Sequence, residues 1–373
     1  MENLKKLVGI KSNKNCNEIL NFLQKELKNK VFDLKIYEKD KKIMLIGINT
    51  KLKNIQPVLL SGHIDTVDAN EQQYDTNPYE LTEKNGKFYG LGSIDMKSFT
   101  AIVMDNLEAL KQLEYPIVLA LTTDEETTIK SVELVTKKFA ELNIKPKFTI
   151  IGEPTQSQFN LASNGCYEYS VKFFGKACHS SKPNEGINAI CACAKLVNFI
   201  ETEQKKYNIT SNCGKICGGE VINKVADYAE LQFDVRSLYS LEAESFLHDI
   251  NKYLEKLQNE YFGLKIEISK LYSIPSFDMT QNKKIVSMAK ELDIKTNIFS
   301  GGCEAGYYTN YSGDAVIYGV GDLSLAHKPN EYVEAEEYKA YSKTCWSAKN
   351  NKKVLFLIIK YHFYNFRHKK DKY

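Results

Sequence analysis

Histidines and carboxylates standing just behind short apolar runs are the residues of this chain best suited to chemistry. In Ser61-Gly-His-Ile-Asp-Thr-Val67, His63 and Asp65 are two apart and share one face of an extended segment. A histidine that binds a metal through one ring nitrogen commonly gives its other N–H to a carboxylate, which fixes the tautomer. Taken alone, a surface histidine beside an unrelated acid is the plainer reading. Gly90-Leu-Gly-Ser-Ile-Asp-Met-Lys97 has glycines that permit a tight backbone path aiming Asp95 inward, or it is merely a glycine-rich turn. Thr122-Thr-Asp-Glu-Glu-Thr127 sets three carboxylates behind an apolar strand, where they repel one another unless cations or solvent compensate. An acid-rich helix N-terminus would also account for them. In Ile151-Gly-Glu-Pro-Thr155 the proline forces an extended conformation on Glu153. His327 stands in a polar loop, Gly319-Val-Gly-Asp-Leu-Ser-Leu-Ala-His-Lys-Pro-Asn-Glu331. Together these motifs supply two imidazoles and several carboxylates, a donor set suited to zinc or a similar divalent ion. Two such ions a few ångströms apart would share a carboxylate and an activated water, leaving one glutamate beside them as base.

The elements that must position these residues alternate. Residues 14 to 30 read as an amphipathic helix, with Ile19, Leu20, Phe22, Leu23 and Leu27 at helical spacing. Apolar runs at 57–61, 117–123, 148–151 and 315–320 read as buried strands, each leading into one of the motifs, with helices at 98–112 and 131–142. This predicts a doubly wound α/β sheet, in which ligands sit beyond the carboxyl ends of the strands. From about 166 to 273 the rhythm changes to strand 167–174, helix 186–203, strands 215–222 and 228–235, helix 241–258 and strand 264–271. That βαββαβ order predicts a ferredoxin-like unit inserted into the first domain. The expected division is therefore a discontinuous catalytic domain, 1–165 with 274–373, and an inserted domain, 166–273.

The gross numbers exclude several classes. The 373 residues suit two cores. A net charge of +3 leaves no electrostatic footprint for nucleic acid. No apolar run approaches a membrane span, and the N-terminus lacks a signal-peptide pattern, so a soluble, unprocessed chain is expected. Nine scattered cysteines do not form a disulfide framework or a cysteine-rich zinc site, which fits a reducing cytosol. Of the six histidines, His248, His362 and His368 read as solvated.

With all the motifs in view, the chain resembles the M20 family of metallopeptidases and deacylases, which includes acetylornithine deacetylases and succinyl-diaminopimelate desuccinylases. The resemblance runs from about residue 5 to about residue 345. It implies a zinc-peptidase-like catalytic domain, with the inserted domain acting as lid and dimerisation unit in a homodimer. It implies two divalent ions, zinc or alternatively cobalt: His63 and His327 would each bind one, Asp95 would bridge, Glu126 would join the His327 ion and Glu153 the His63 ion. Asp65 would orient His63, and Glu125 would be the general base. His179, in Gly175-Lys-Ala-Cys-His-Ser-Ser181, matches a lid histidine used near the developing oxyanion, or it is a helix-start residue without a chemical role. Asn223 and Arg236 resemble lid positions that hold the substrate carboxylate, with a purely structural role equally open. Gly302-Cys-Glu-Ala305 resembles the deacetylase version of a substrate-contacting segment, so Gly302, Cys303 and Glu304 are expected near substrate, with Glu304 a candidate acid for a substrate amine.

Asp124-Glu-Glu-Thr127 and Ala326-His-Lys-Pro-Asn-Glu331 also resemble the deacetylase branch, so the implied substrate is an N-acyl amino acid, N-acetylornithine above all, in arginine biosynthesis. A desuccinylase, a dipeptidase or aminoacylase, and a metal-free binding homologue are the alternatives. Three features depart from the pattern: Ser98 stands where glycine is usual, residues 160–164 lack the basic residues that many deacetylases carry after Gly-Glu-Pro-Thr, and residues 347–373, with an apolar stretch at 354–359 and a basic end, have no counterpart. That tail reads as an extra strand or helix, as a weak surface anchor, or as an altered reading of the gene's end.

Overall fold

A computed structural model describes residues 1–38, 41–113, 115–346 and Ile358; the rest of the 347–373 tail, with His362 and His368, lies outside the described residues. The chain divides into two compact units. The first comprises the described residues of Met1–Ala162 and Met279–Phe299 and those from Cys303 on, and the second comprises Ser163–Asp278 with Ser300–Gly302.

In the first unit, a sheet runs in the order Asp33–Glu38, Lys42–Gly47, Ile117–Thr122, Val58–His63, Phe148–Ile151, Asp314–Ile317, Phe159–Ser163. Its three central pairings, made by Ile117–Thr122, Val58–His63, Phe148–Ile151 and Asp314–Ile317, are parallel, and its flanks are antiparallel. Successive strand residues point to opposite faces. Leu60, Leu119 and Ile150 are buried, and so are Leu59, Val118 and Ile151 between them, so both faces are covered. The helices supply that cover: Asn17–Leu27 buries Ile19, Leu20 and Leu23, and Lys130–Glu141 buries Val132, Val135 and Phe139.

The helix expected over 98–112 breaks in two, Lys97–Asp105 and Leu107–Lys111, because the Asn106 amide turns back onto the Ile102 carbonyl at 2.8 Å and meets Ser342 at 2.8 Å. Such a side chain competes with the helix ladder. Ahead of the expected strands the chain also forms an antiparallel pair, Asp33–Glu38 with Lys42–Gly47. A small antiparallel sheet, Tyr332–Glu334, Lys87–Tyr89, Thr82–Lys84, also belongs to this unit.

The second unit is a four-stranded antiparallel sheet ordered Ile209–Gly218, Tyr228–Ser237, Gly165–Phe174, Lys265–Ile274, with helices Ala189–Glu203 and Ser240–Glu260 in the chain between its strands. One sheet face contributes Val171, Phe173, Leu231, Phe233 and Val235 to a core with Leu196, Ile200, Phe246 and Ile250 from the helices. The other is polar: Glu230 accepts hydrogen bonds from Ser170 (2.6 Å), Tyr228 (2.9 Å) and Gln232 (3.0 Å), which hold its carboxyl down at about 2. One-sided burial produces the alternation seen in these strands. The strand expected at 215–222 lies earlier, at Ile209–Gly218; it ends where Gly219 adopts φ +71°, leaving Val221 and Ile222 exposed.

Candidate metal centre

Register alone brings three of the motifs to one end of the sheet. His63 pairs with Thr122, the last residue of its strand, and Ser61 pairs with Ile151 on the other side. The Gly152 N–H then donates to the Ser61 carbonyl at 3.0 Å, and the next residue is Glu153. Glycine is required at 152, since a Cβ there would lie 2.1 Å from the Phe99 ring. His63 closes its own strand, and the loops that leave the neighbouring strand ends carry Glu125, Glu126 and Glu153.

Asp95 enters from the loop 90–95. Its Oδ1 lies 2.9 Å from His63 Nε2, and its Oδ2 lies 3.4 Å from His327 Nε2. The same His327 nitrogen is 2.8 Å from Glu126 Oε2. Among the described residues, His63, Asp95 and Glu153 form one group able to hold a cation, and Asp95, Glu126 and His327 form another. Within each group the ligand-type atoms lie within 4.8 Å of one another, and Asp95 belongs to both.

The electrostatics are those of a crowded acidic site. Burial alone would raise the Asp95 carboxyl, but hydrogen bonds from His327 and His63 outweigh it and hold the group well below the usual range. His327 is pushed up to about 10 by the Asp95 and Glu126 carboxylates. For His63, burial favours the neutral ring, yet Asp65 and Asp95 together carry it well above its ordinary value. Glu125 and Glu153 are both raised well above the carboxylate range, first by burial and then, against the pull of His63, by the charges around them. Glu153 Oε1 is buried with no hydrogen-bond partner. Carboxylates this close cannot all ionise without a compensating cation.

Asp65 does more than the motif indicated. His63 Nδ1 donates to the Asp65 backbone carbonyl at 3.0 Å and lies 3.6 Å from its carboxylate Oδ1, while Oδ2 accepts the Glu126 backbone N–H at 3.0 Å. Asp124, the first acid of its motif, is engaged by its own loop instead. Its carboxylate accepts from Thr128 and from the N–H groups of Lys130 (3.0 Å) and Ser131 (2.9 Å), closing the loop that presents Glu125 and Glu126. Ser98, near the start of the helix Lys97–Asp105, donates its hydroxyl to the Ser93 carbonyl.

Cys303 and Glu304, expected near substrate, are buried to 0 % and 1 % exposure. The Glu304 carboxylate accepts from Ser61 (2.6 Å) and Thr122, with the Tyr308 hydroxyl joining Ser61 at 2.7 Å, so it ties two strand ends together beneath His63. Gly302 belongs to the second unit, where a Cβ on it would meet Ile274 at 2.7 Å. His179, Asn223 and Arg236 also belong to that unit and are exposed. His179 Nδ1 bonds the Ser181 hydroxyl at 2.8 Å, the Asn223 carbonyl accepts from the Ser180 N–H at 3.0 Å, and Arg236 is held by Asp234 at 3.0 Å. His248 is exposed on its helix.

Residues 59–345 match the model of peptidase family M20/M25/M40. The chain belongs to this family. The M20 resemblance read from the motifs is thereby borne out, and with it the class of reaction: the protein is a hydrolase acting on amide bonds. Among curated M20 relatives, the acetylornithine deacetylase of Buchnera aphidicola subsp. Acyrthosiphon pisum (strain Tuc7) is 30 % identical over 339 residues, covering 87 % of each chain. That of Pasteurella multocida is 34 % identical over 298 residues, 75 % of this chain and 76 % of its own. The fold is shared with a tripeptidase from Staphylococcus aureus (TM-score 0.74, 22 % identity, 96 % of each chain). It is shared too with a dinuclear metal-binding M20 peptidase from Bacillus subtilis (TM-score 0.69, 14 % identity, 96 % of each chain). Among the described residues of this M20 chain, no helix is long and apolar enough to cross a membrane.

Proposed function

We propose that the protein uses two divalent ions to remove the acyl group from an N-acyl amino acid, with N-acetylornithine as substrate and ornithine and acetate as products. The observation that carries this reading is the Asp95 carboxylate, whose two oxygens face two different imidazoles, each with a further carboxylate beside it. His63, Asp95 and Glu153 would hold one ion, and Asp95, Glu126 and His327 the other. The residues fit such ions: the donors are nitrogen and oxygen only, one buried Glu153 oxygen lacks a partner, and the acids are too crowded to share charge unaided. When bound, zinc or cobalt supplies a Lewis acid that lowers the pKa of a water from about 16 toward about 7.

The chain's own residues do the rest. Glu125 takes the proton of the attacking water and passes it to the leaving amine, a step for which its raised proton affinity suits it. Asp65 holds His63 through Nδ1 and the Glu126 loop through its carboxylate. The second unit, read as a ferredoxin-like lid spanning 166–273, would bring His179 to the developing oxyanion and Asn223 and Arg236 to the substrate carboxylate, in a cytosolic homodimer. The acetylornithine deacetylase names of the relatives at 30 % and 34 % identity support the substrate, and that substrate would place the reaction in arginine biosynthesis.

The deciding assay is acetate release from N-acetylornithine by protein reconstituted with Zn²⁺, stopped by a chelator and restored by Zn²⁺ or Co²⁺. Faster turnover of N-succinyl-diaminopimelate or of a dipeptide would replace the substrate, and a protein that neither binds metal nor turns over any of them is a binding homologue.

A second expected outcome concerns protons. A histidine must be deprotonated to ligate a metal, and here His327 is held protonated up to about 10 against its ordinary 6.5. Zn²⁺ uptake at pH 7 to 8 should therefore release at least one proton per chain, read with an indicator dye in weak buffer. Uptake with no acidification would contradict the arrangement.

A further inference from the structure

Glu331 belongs to neither cation-holding group, yet its buried carboxylate is the anchor of the loop that carries Asp95. Its Oε1 accepts the N–H groups of Ile94 at 2.7 Å and of Asp95 itself at 3.2 Å, and its Oε2 accepts that of Gly92 at 3.0 Å. The path of the loop creates the need. Gly92 adopts φ +78°, and with that turn the three amides converge on one point. A buried amide left without an acceptor costs about 1–3 kcal/mol. A carboxylate is suited to the place because it offers acceptors on both oxygens and no donor; an amide side chain would turn an N–H toward one of the three.

The clasp also fixes the second imidazole. His327 precedes Glu331 by four residues in a loop held by left-handed backbone at His327 (φ 60°) and Asn330 (φ 63°). The Asn330 side chain accepts from the Asp75 N–H at 2.9 Å and donates to the Asp75 carboxylate at 3.1 Å. On the far side, the Glu331 carbonyl accepts the Gly90 N–H at 3.0 Å, and the strand Tyr332–Glu334 continues the pairing along Lys87–Tyr89. One residue thus joins the His327 loop to the Asp95 loop across 236 positions of sequence.

We propose that Glu331 is the positioning residue of the centre, setting the place of the Asp95 carboxylate that both ions would share. The inference rests on the two-ion reading above. A site of this kind tolerates displacements of only about 0.5 Å in its ligands, and Glu331 bonds directly to the backbone of the shared one.

The test is chelator-competition titration of metal-free protein with Zn²⁺, comparing wild type, Glu331→Gln and His327→Ala, with the melting temperature of each metal-free form. Glu331→Gln keeps the side chain's size and one acceptor, and it should fold. It is expected to weaken both Zn²⁺ affinities together, by roughly tenfold to a hundredfold, the range usual for loss of a group that orients a ligand. His327→Ala should weaken chiefly one. Wild-type affinities in Glu331→Gln, or weakening of one ion alone, would overturn the role. So would a Glu331→Gln chain that no longer folds, because the carboxylate would then serve the fold and not the ligand. A wild-type protein that takes up no Zn²⁺ would instead sink the metal-centre reading, and this inference with it.

Discussion

Replacing Glu125 by Gln is expected to lower kcat on N-acetylornithine by about a thousandfold while both metal ions stay bound. The side chain lies in the loop beyond Ile117–Thr122, under the charges of Glu153, His63, Glu126 and Asp95, but it is a member of neither ligand group. Gln fills the same space and cannot take a proton. General acid–base assistance is worth roughly a hundredfold to ten-thousandfold, and a thousandfold corresponds to about 4 kcal/mol of barrier. Metal content by elemental analysis and single-turnover rates read the two halves of the outcome. A variant that loses metal in step with activity would make Glu125 a ligand, and one that keeps wild-type kcat would remove it from the mechanism.

Asp95→Ala should produce the opposite pattern, losing both ions and with them all measurable turnover. Each of its oxygens faces a separate imidazole, so one substitution opens both groups at once. His327→Ala or Glu153→Ala opens only one. Without Asp95, His63 and His327 also lose the carboxylate that raises their proton affinity, so their neutral forms should become easier to reach even as the metal site fails. Elemental analysis after dialysis against excess Zn²⁺ is the measurement. Retention of a full complement of metal in Asp95→Ala would show that the bridging assignment is mistaken.

Much of the fold was legible because buried parallel strands leave a plain trace, a short apolar run ending in polar residues. The runs at Val58–His63, Ile117–Thr122, Phe148–Ile151 and Asp314–Ile317 are strands of one sheet, with both of its faces covered. Less legible were the edges. Asp33–Glu38 is only half-buried and carries a mixed pattern, and Val221 and Ile222 extend the apolar pattern of Ile209–Gly218 although they follow the turn at Gly219 and are exposed. Local pattern reports burial, and at an edge burial is partial.

The sequence by itself determined which chemistry was available: the types of ligand, their order, and their place at the ends of apolar strands, because side-chain chemistry and strand periodicity are local properties. Only the tertiary structure decided which groups surround each carboxylate. Asp124 closes its own loop, Glu304 ties Ser61 to Thr122, and Glu331 gathers three amides, whereas Asp95, Glu126 and Glu153 face the imidazoles. In the chain all six are acids near a motif. Their roles diverge because a carboxylate takes its function from the donors that surround it, and for Glu304 and Glu331 those donors stand some 180 to 240 positions away.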